Sequence, residues 1–577
     1  MRRQPLYIGD GANAAFGWLH SDEAVPPRDC VAVLCAPVGH EYTRAHRTIR
    51  HLADRLAHRG IAALRFDYHG IGDSPGSDLD PDRVGRWLAD IRAAVAKARE
   101  LSGRPRVCLI GVRLGGTLAA MATWEAPADL LVMWNPVLKG KTFVRELQAI
   151  AMTAEREAQE IDGALESAGF VMSAETIAQV RSINLLEREI RAGSVLVVAR
   201  DDTAQVLSLN EKLGERGIDN AYYRAPGWAG MMAEHQFTVV PDEAVDHVAE
   251  WVECHSNPCG ERHPCEEPPR PSEGRDPADA SVTFPLDGAQ ITEAAVHFGS
   301  DRHLFGVLTT SDHNAVRPAI VMFNAGSVHH VGPNRLYVAL ARHLSAAGFD
   351  CLRFDLESLG DSVLRGPGRE NYPYPQNATS DAGAALEFLK SRGYQRIVAL
   401  GLCSGAHTTF HTGLQFAQYP IEELILINPM SFYWKEGGSL DTSRRFEDAA
   451  AYKRSMKDPR RWMKLLRGDV NMKRLMEVVV SEARNKLRLR EDQRLSSDLR
   501  KLVDEYRRPI TFFIAEGDPG RDILMAGAPR TAARAMKSGA MRIEMIPGAD
   551  HTFSQFKPRK DLLGRLNAHL SRRAPPA

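Results

Sequence analysis

The feature that most constrains the fold is an internal repeat. The segment from Arg59, Arg-Gly-Ile-Ala-Ala-Leu-Arg-Phe-Asp-Tyr-His-Gly-Ile-Gly-Asp-Ser, returns from Ala347 as Ala-Gly-Phe-Asp-Cys-Leu-Arg-Phe-Asp-Leu-Glu-Ser-Leu-Gly-Asp-Ser. The match is too long for chance, so the chain carries one supersecondary pattern twice. Downstream, Arg106-Val-Cys-Leu-Ile-Gly-Val-Arg-Leu-Gly-Gly is mirrored by Arg396-Ile-Val-Ala-Leu-Gly-Leu-Cys-Ser-Gly-Ala, an apolar run entering a glycine turn and then a helical stretch. Val195-Leu-Val-Val-Ala-Arg-Asp-Asp pairs with Thr511-Phe-Phe-Ile-Ala-Glu-Gly-Asp, and Ala225-Pro-Gly-Trp-Ala-Gly with Ile546-Pro-Gly-Ala-Asp-His. The parts come in the same order in both halves.

Short β-branched runs alternating with helical patterns predict an α/β fold in each half, a doubly wound and mostly parallel sheet with ligands at the carboxyl ends of its strands. With 577 residues the chain is too long for a single core. We expect a first domain over 1–253, a linker over 254–280 rich in Pro, Glu, Arg and Gly, and a second domain over 281–577. Each domain carries an insertion expected to form a helical cap, at about 138–190 and about 430–508. The second insertion is basic, with 21 Lys and Arg against 13 Asp and Glu, most of it a solvated helix face; attraction of an anionic acyl carrier is the alternative.

The sequence Gly401-Leu402-Cys403-Ser404-Gly405 places a cysteine at the centre of a Gly-x-nucleophile-x-Gly turn. With the two-fold pattern around it, it resembles the nucleophile elbow of α/β-hydrolases, in which the central side chain is exposed on a strained strand-to-helix turn and the glycines let strand and helix approach closely. The resemblance covers nearly the whole chain, twice. It implies a chain order of nucleophile, acid and histidine, which Cys403, Asp518 and His551 supply, with Asp522 as the alternative acid. Ser404 does not share the frame and is expected to offer its backbone N–H to an oxyanion, with a second donor from Ala325 or Gly326. Asp550 reads as a turn residue, as do Asp361 with Ser362 and Asp73 with Ser74.

In the first half the equivalent positions are Arg113, Asp202 and Gly230. Arginine stays protonated and cannot attack a carbonyl, and glycine cannot take a proton. His235, five residues beyond the lost base, would have nothing to activate. This half is expected to be a scaffold; the alternative keeps Arg113 as a fixed cation for a carboxylate or phosphate.

A thiolate paired with histidine points to acyl chemistry on a small-molecule ester or thioester, including carrier-bound forms. Relatives with this elbow include dienelactone hydrolases and polyhydroxyalkanoate synthases, so hydrolysis, which we favour, stands beside acyl transfer, and a non-catalytic scaffold is the third reading. The pair of an arginine elbow and a Gly-Leu-Cys elbow is also similar to the hydrolase-like proteins that accompany exosortase-type exopolysaccharide gene clusters, which would imply a bacterial setting in envelope-polymer or secondary-metabolite chemistry.

The balance of 73 basic against 73 acidic residues gives no electrostatic reason to expect nucleic acid. No apolar run of signal-peptide or membrane-spanning length is present. Eight cysteines, several in apolar strands, fit reduced thiols in a cytoplasm better than a disulfide framework. Cys254, His255, Cys259, His263 and Cys265 cluster in the linker without Cys-x-x-Cys spacing and read as a tether rather than a metal site. No metal or cofactor is expected.

Overall fold

The computed structural model describes residues 1–153, 163–260, 265, 280–313, 317–434 and 492–573. The first half builds an eight-stranded sheet from β1 (Arg2–Ile8), β2 (Ala15–Ser21), β3 (Cys30–Cys35), β4 (Ala62–Phe66), β5 (Arg106–Val112), β6 (Ala128–Trp134), β9 (Ala192–Ala199) and β10 (Asp219–Arg224), with a separate hairpin of β7 (Leu165–Ser167) and β8 (Phe170–Met172). The second builds a nine-stranded sheet from β11 (Ser281–Leu286), β12 (Ala289–Phe298), β13 (Leu304–Ser311), β14 (Ala319–Phe323), β15 (Cys351–Phe354), β16 (Ile397–Leu402), β17 (Ile421–Ile427), β18 (Ile510–Ala515) and β19 (Met541–Ile546).

The parallel core runs β4-β3-β5-β6-β9-β10 in the first sheet and β15-β14-β16-β17-β18-β19 in the second. The orders are identical, as the repeated sequence order predicts, and both halves have the expected α/β fold. By Cα proximity the chain resolves into two units, Met1–His297 with Gly306–His313 and Asn334–Ala346, and Phe298–Phe305 with Asn314–Pro333 and Ala347–Ala577. The central strands are buried along their whole length, as in Cys-Val-Ala-Val-Leu-Cys of β3 and Ile-Val-Ala-Leu-Gly-Leu of β16. Such continuous apolar runs belong to strands covered on both faces.

The repeated Asp and Ser fix the same loop twice. Ser74 Oγ donates to Asp67 O at 2.6 Å and accepts from Phe16 N at 2.9 Å; Ser362 Oγ donates to Asp355 O at 2.6 Å and accepts from Phe305 N at 2.9 Å. Asp73 N and Asp361 N donate at 2.9 Å to Asp67 and Asp355, each six residues before. These residues are turn formers, as read from the sequence.

Three expectations need correction or restriction. The first insertion is not purely helical: between helices Gly140–Met152 and Ala174–Ser182 it carries the β7–β8 hairpin. Of the second insertion, 435–491 lies outside the described residues, and helix Gln493–Arg500 is its described end. The linker does not start as a free tether. Asn257 N and Nδ2 donate to Asp29 at 2.9 and 3.0 Å and Cys259 N donates to Pro27 O at 2.9 Å; Cys259 is disulfide-bonded to Cys265. The reading of all cysteines as reduced is therefore overturned at this pair, whose Cα atoms lie 5.7 Å apart. Among the described residues no helix is long and apolar enough to cross a membrane.

Candidate active site

Strand β16 ends at Leu402 and helix Ser404–Gln415 begins immediately after it, leaving Cys403 alone to make the turn. Its backbone sits at φ 59°, ψ −114°, a conformation that costs a non-glycine residue about 1–3 kcal/mol and persists only where surroundings enforce it. They do so through Cys403 N, which donates to Ile427 O at 3.0 Å, and through Ala406 N, which donates to Cys403 O at 3.1 Å. The flanking glycines are steric necessities. A Cβ on Gly401 would lie 2.2 Å from Gly405 C and O, and one on Gly405 would lie 2.4 Å from Phe323 O.

His551 stands in the loop after β19. Its Nδ1 is 2.6 Å from Asp518 Oδ2, and the Cys403 side chain acts on its ring electrostatically. Asp518 is 1% exposed at its side chain and is braced by Gly520 N, which donates to Oδ1 at 2.9 Å. Burial would lower the His551 pKa, but the Cys403 sulfur and the Asp518 carboxylate together hold it well above the usual imidazole value. Of the two acids the sequence allowed, Asp518 meets the imidazole; Asp522 is exposed in the first turn of helix Gly520–Gly527 and does not. Asp550 accepts Ser554 N at 2.7 Å and is a turn residue.

The expected oxyanion donors divide. Gly326 N donates to Ser404 Oγ at 2.8 Å, so this N–H is already taken and the assignment of Gly326 is corrected. The reason is the serine side chain, which bridges to the loop and also donates to Asn324 O at 3.3 Å. The backbone N–H groups of Ser404 and Ala325 have no acceptor among the described residues.

Sequence reasoning missed Asn428. Fully buried and at φ 43°, it accepts Ala515 N at 2.8 Å and donates to His551 O at 2.7 Å, tying the ends of β17 and β18 to the histidine loop. The repeated Trp134-Asn-Pro and Ile427-Asn-Pro would have found it. In the first half Asn135 holds the same left-handed geometry at φ 48°, yet its buried Nδ2 has no partner among the described residues.

A cavity of about 330 Å³ beside the elbow is lined by Tyr374, His407, His411, Tyr433, Trp434 and Arg494 among others. Tyr374 and Trp434 stack at 4.3 Å, and burial pushes His407 down to about 3, so this aromatic wall stays uncharged at neutral pH.

The first half keeps the elbow backbone with an arginine at its centre. Arg113 adopts φ 54°, ψ −123°, almost the geometry of Cys403. Its guanidinium donates to Glu41 Oε1 at 2.8 Å and Glu146 Oε2 at 2.5 Å, which overturns the reading of Arg113 as a cation kept for a bound anion. Asp202 is exposed and accepts from Tyr222 Oη at 2.6 Å and from Arg224 at 3.1 Å, while Gly230 lies in the short helix Trp228–Met231. His235 hydrogen-bonds Thr43 Oγ1 at 2.9 Å.

Comparison with known proteins matches each half separately. Residues 34–199 match the family described as serine aminopeptidase, S33, and residues 320–564 match the alpha/beta hydrolase family. The mitochondrial palmitoyl-protein thioesterase ABHD10 of Pongo abelii and that of Homo sapiens are each 26% identical over 100 residues, 17% of this chain and 31% of theirs. The chain thus spans about a third of the length of these curated relatives. Among solved structures, Est1E from Butyrivibrio proteoclasticus with ferulic acid bound is 17% identical, covering 43% of this chain and 98% of its own at a TM-score of 0.32. A soluble variant of monoglyceride lipase from Saccharomyces cerevisiae is 12% identical, covering 54% and 99% at 0.31.

Proposed function

The chain belongs to the α/β-hydrolase superfamily through both of its halves, and on that premise we propose that the second domain hydrolyses an ester or thioester through Cys403, His551 and Asp518, while the first serves as its non-catalytic partner. The observation that carries this reading is the Asp518–His551 contact, with Cys403 acting on the same imidazole from a strained elbow. In this mechanism the Cys403 sulfur attacks the acyl carbon, its proton passing to His551, and the developing oxyanion accepts the N–H groups of Ser404 and Ala325. Asp518 holds the imidazole in the tautomer and orientation this requires. The imidazolium then protonates the departing alkoxide or thiolate, leaving an acyl-cysteine. A water molecule, losing its proton to His551, attacks the acyl carbon, and the tetrahedral intermediate collapses to release the acid and restore the thiol.

The thioesterase activity in the names of the matched relatives supports thioesters within the substrate class. Intact-protein mass spectrometry over a panel of acyl thioesters and activated esters tests the reading. An acyl adduct on Cys403 that vanishes in Cys403→Ala, with free acid as product, is the expected result. Undiminished turnover in Cys403→Ala would refute it, and an acylated acceptor in place of free acid would assign acyl transfer.

A further inference from the structure

Away from Cys403, three buried side chains of the second half converge on one point. His303 precedes β13, Glu357 lies in the loop after β15 and Asp381 in helix Ala378–Ser391; they are 5%, 4% and 1% exposed. His303 Nδ1 is 2.7 Å from Ser300 O. A carbonyl oxygen only accepts, so Nδ1 carries the ring proton and the neutral ring presents a lone pair at Nε2. That Nε2 has no hydrogen-bond partner among the described residues. It faces Glu357 Oε2 at 3.7 Å and Asp381 Oδ1 at 3.8 Å.

These separations decide what the cluster suits. They exceed the roughly 2.7–3.2 Å over which a proton is shared, so no hydrogen bond joins the three atoms. Two ligands at about 2.1 Å from a metal, subtending roughly 125°, stand about 3.7 Å apart. Hydrogen bonds orient both carboxylates, on Glu357 at both oxygens, the one that faces His303 included. Arg365 N donates to Glu357 Oε1 at 2.8 Å, Arg365 Nη2 and Asn377 Nδ2 each to Oε2 at 2.8 Å, and Glu357 N to Asp381 Oδ2 at 2.8 Å. Asp381 Oδ1 and His303 Nε2 are left facing each other.

The repeat supplies an internal control. Phe16 N and Phe305 N make the same bond to Ser74 and Ser362, which aligns His303 with Ala14 and Glu357 with His69. Asp90 accepts His69 N at 2.7 Å as Asp381 accepts Glu357 N. The backbone contact is therefore common to both halves, but the first has Ala14 and His69 where the second has His303 and Glu357, and its His69 Nε2 is taken by Asp80 at 2.8 Å.

We propose that His303, Glu357 and Asp381 bind one divalent first-row transition-metal ion of the zinc or manganese class, separate from the Cys403 site. One imidazole and two carboxylates suit such an ion. It would fasten the loop after β15, whose Glu357 lines a cavity of about 620 Å³ together with Arg365, Tyr372 and Trp434.

The test uses the full chain carrying Cys403→Ala, which removes a competing thiolate, freed of metal by chelation and then titrated calorimetrically with ZnCl₂ and with MnCl₂. One equivalent should bind, and His303→Gln and Asp381→Asn should each weaken it more than about tenfold. Unchanged affinity in both variants would overturn the proposal. Because a buried substitution can disturb folding, Co²⁺ is also added to the same chain with His303 and Asp381 intact. Visible bands of nitrogen- and oxygen-ligated cobalt, with a raised melting temperature, are expected; no bands and no shift would also overturn it.

Discussion

Replacing Asn428 by alanine, with Asn135→Ala as the control inside the same molecule, separates the working loop from its silent copy. Both asparagines occupy left-handed backbone, φ 43° and 48°, so each substitution loses a residue that tolerates it, about 1 kcal/mol, and this part cancels. What remains is hydrogen bonding. Asn428→Ala strands Ala515 N–H and His551 O, bonded at 2.8 and 2.7 Å, and a buried group left without its partner costs about 1–3 kcal/mol. Asn135 Nδ2 has no acceptor among the described residues to lose. Asn428→Ala should therefore be about 2–6 kcal/mol less stable than Asn135→Ala, read as the difference between urea unfolding curves followed by tryptophan fluorescence. Since one stranded carbonyl is that of His551, ester hydrolysis should suffer too: a displacement near 1 Å can cost about 100-fold, and kcat/KM should fall by that order in Asn428→Ala and hardly at all in Asn135→Ala. Equal unfolding midpoints with equal kcat/KM would refute the assignment of Asn428 as the brace of the histidine loop.

Asp518→Asn should lower kcat by about 10³–10⁴ through the wrong imidazole tautomer, whereas Asp522→Asn should stay within about threefold; steady-state kinetics reversing that order would move the acid to Asp522. Gly405→Ala should abolish activity, because its Cβ would lie 2.4 Å from Phe323 O and 2.8 Å from Asn324 O, both backbone atoms; a soluble variant with native kcat would disprove the close packing. Arg113→Ala should leave turnover within a few-fold but destabilise the first half by about 3 kcal/mol or more, since it strands the buried Glu41; calorimetry and kinetics on the same sample check both. For His551, whose folded pKa is raised, the pairing contributes stability that is full below about 6.5 and lost as pH rises through the folded value. Cys403→Ala removes the first of the partners that raise it, so the His551 titration followed by NMR should move to lower pH, and an unchanged titration would count against the contact.

What the sequence determined by itself was everything that repeats or depends on local backbone. The same Arg-Phe-Asp and Gly-Asp-Ser stretch built the same loop twice, identical strand orders followed, and the glycine spacing predicted an elbow at both Cys403 and Arg113. These are short-range constraints, in which a glycine without Cβ or a serine reaching back seven residues dictates the chain path wherever it occurs. Tertiary structure decided which partners those residues met. Asp518 rather than Asp522 reached His551 because strand β18 ends beside it, and Ser404 Oγ claimed the Gly326 N–H across 78 positions. Likewise Arg113 proved to be held by Glu41 and Glu146. Each is a choice among several chemically equivalent groups, and only the folded approach of distant segments breaks that degeneracy.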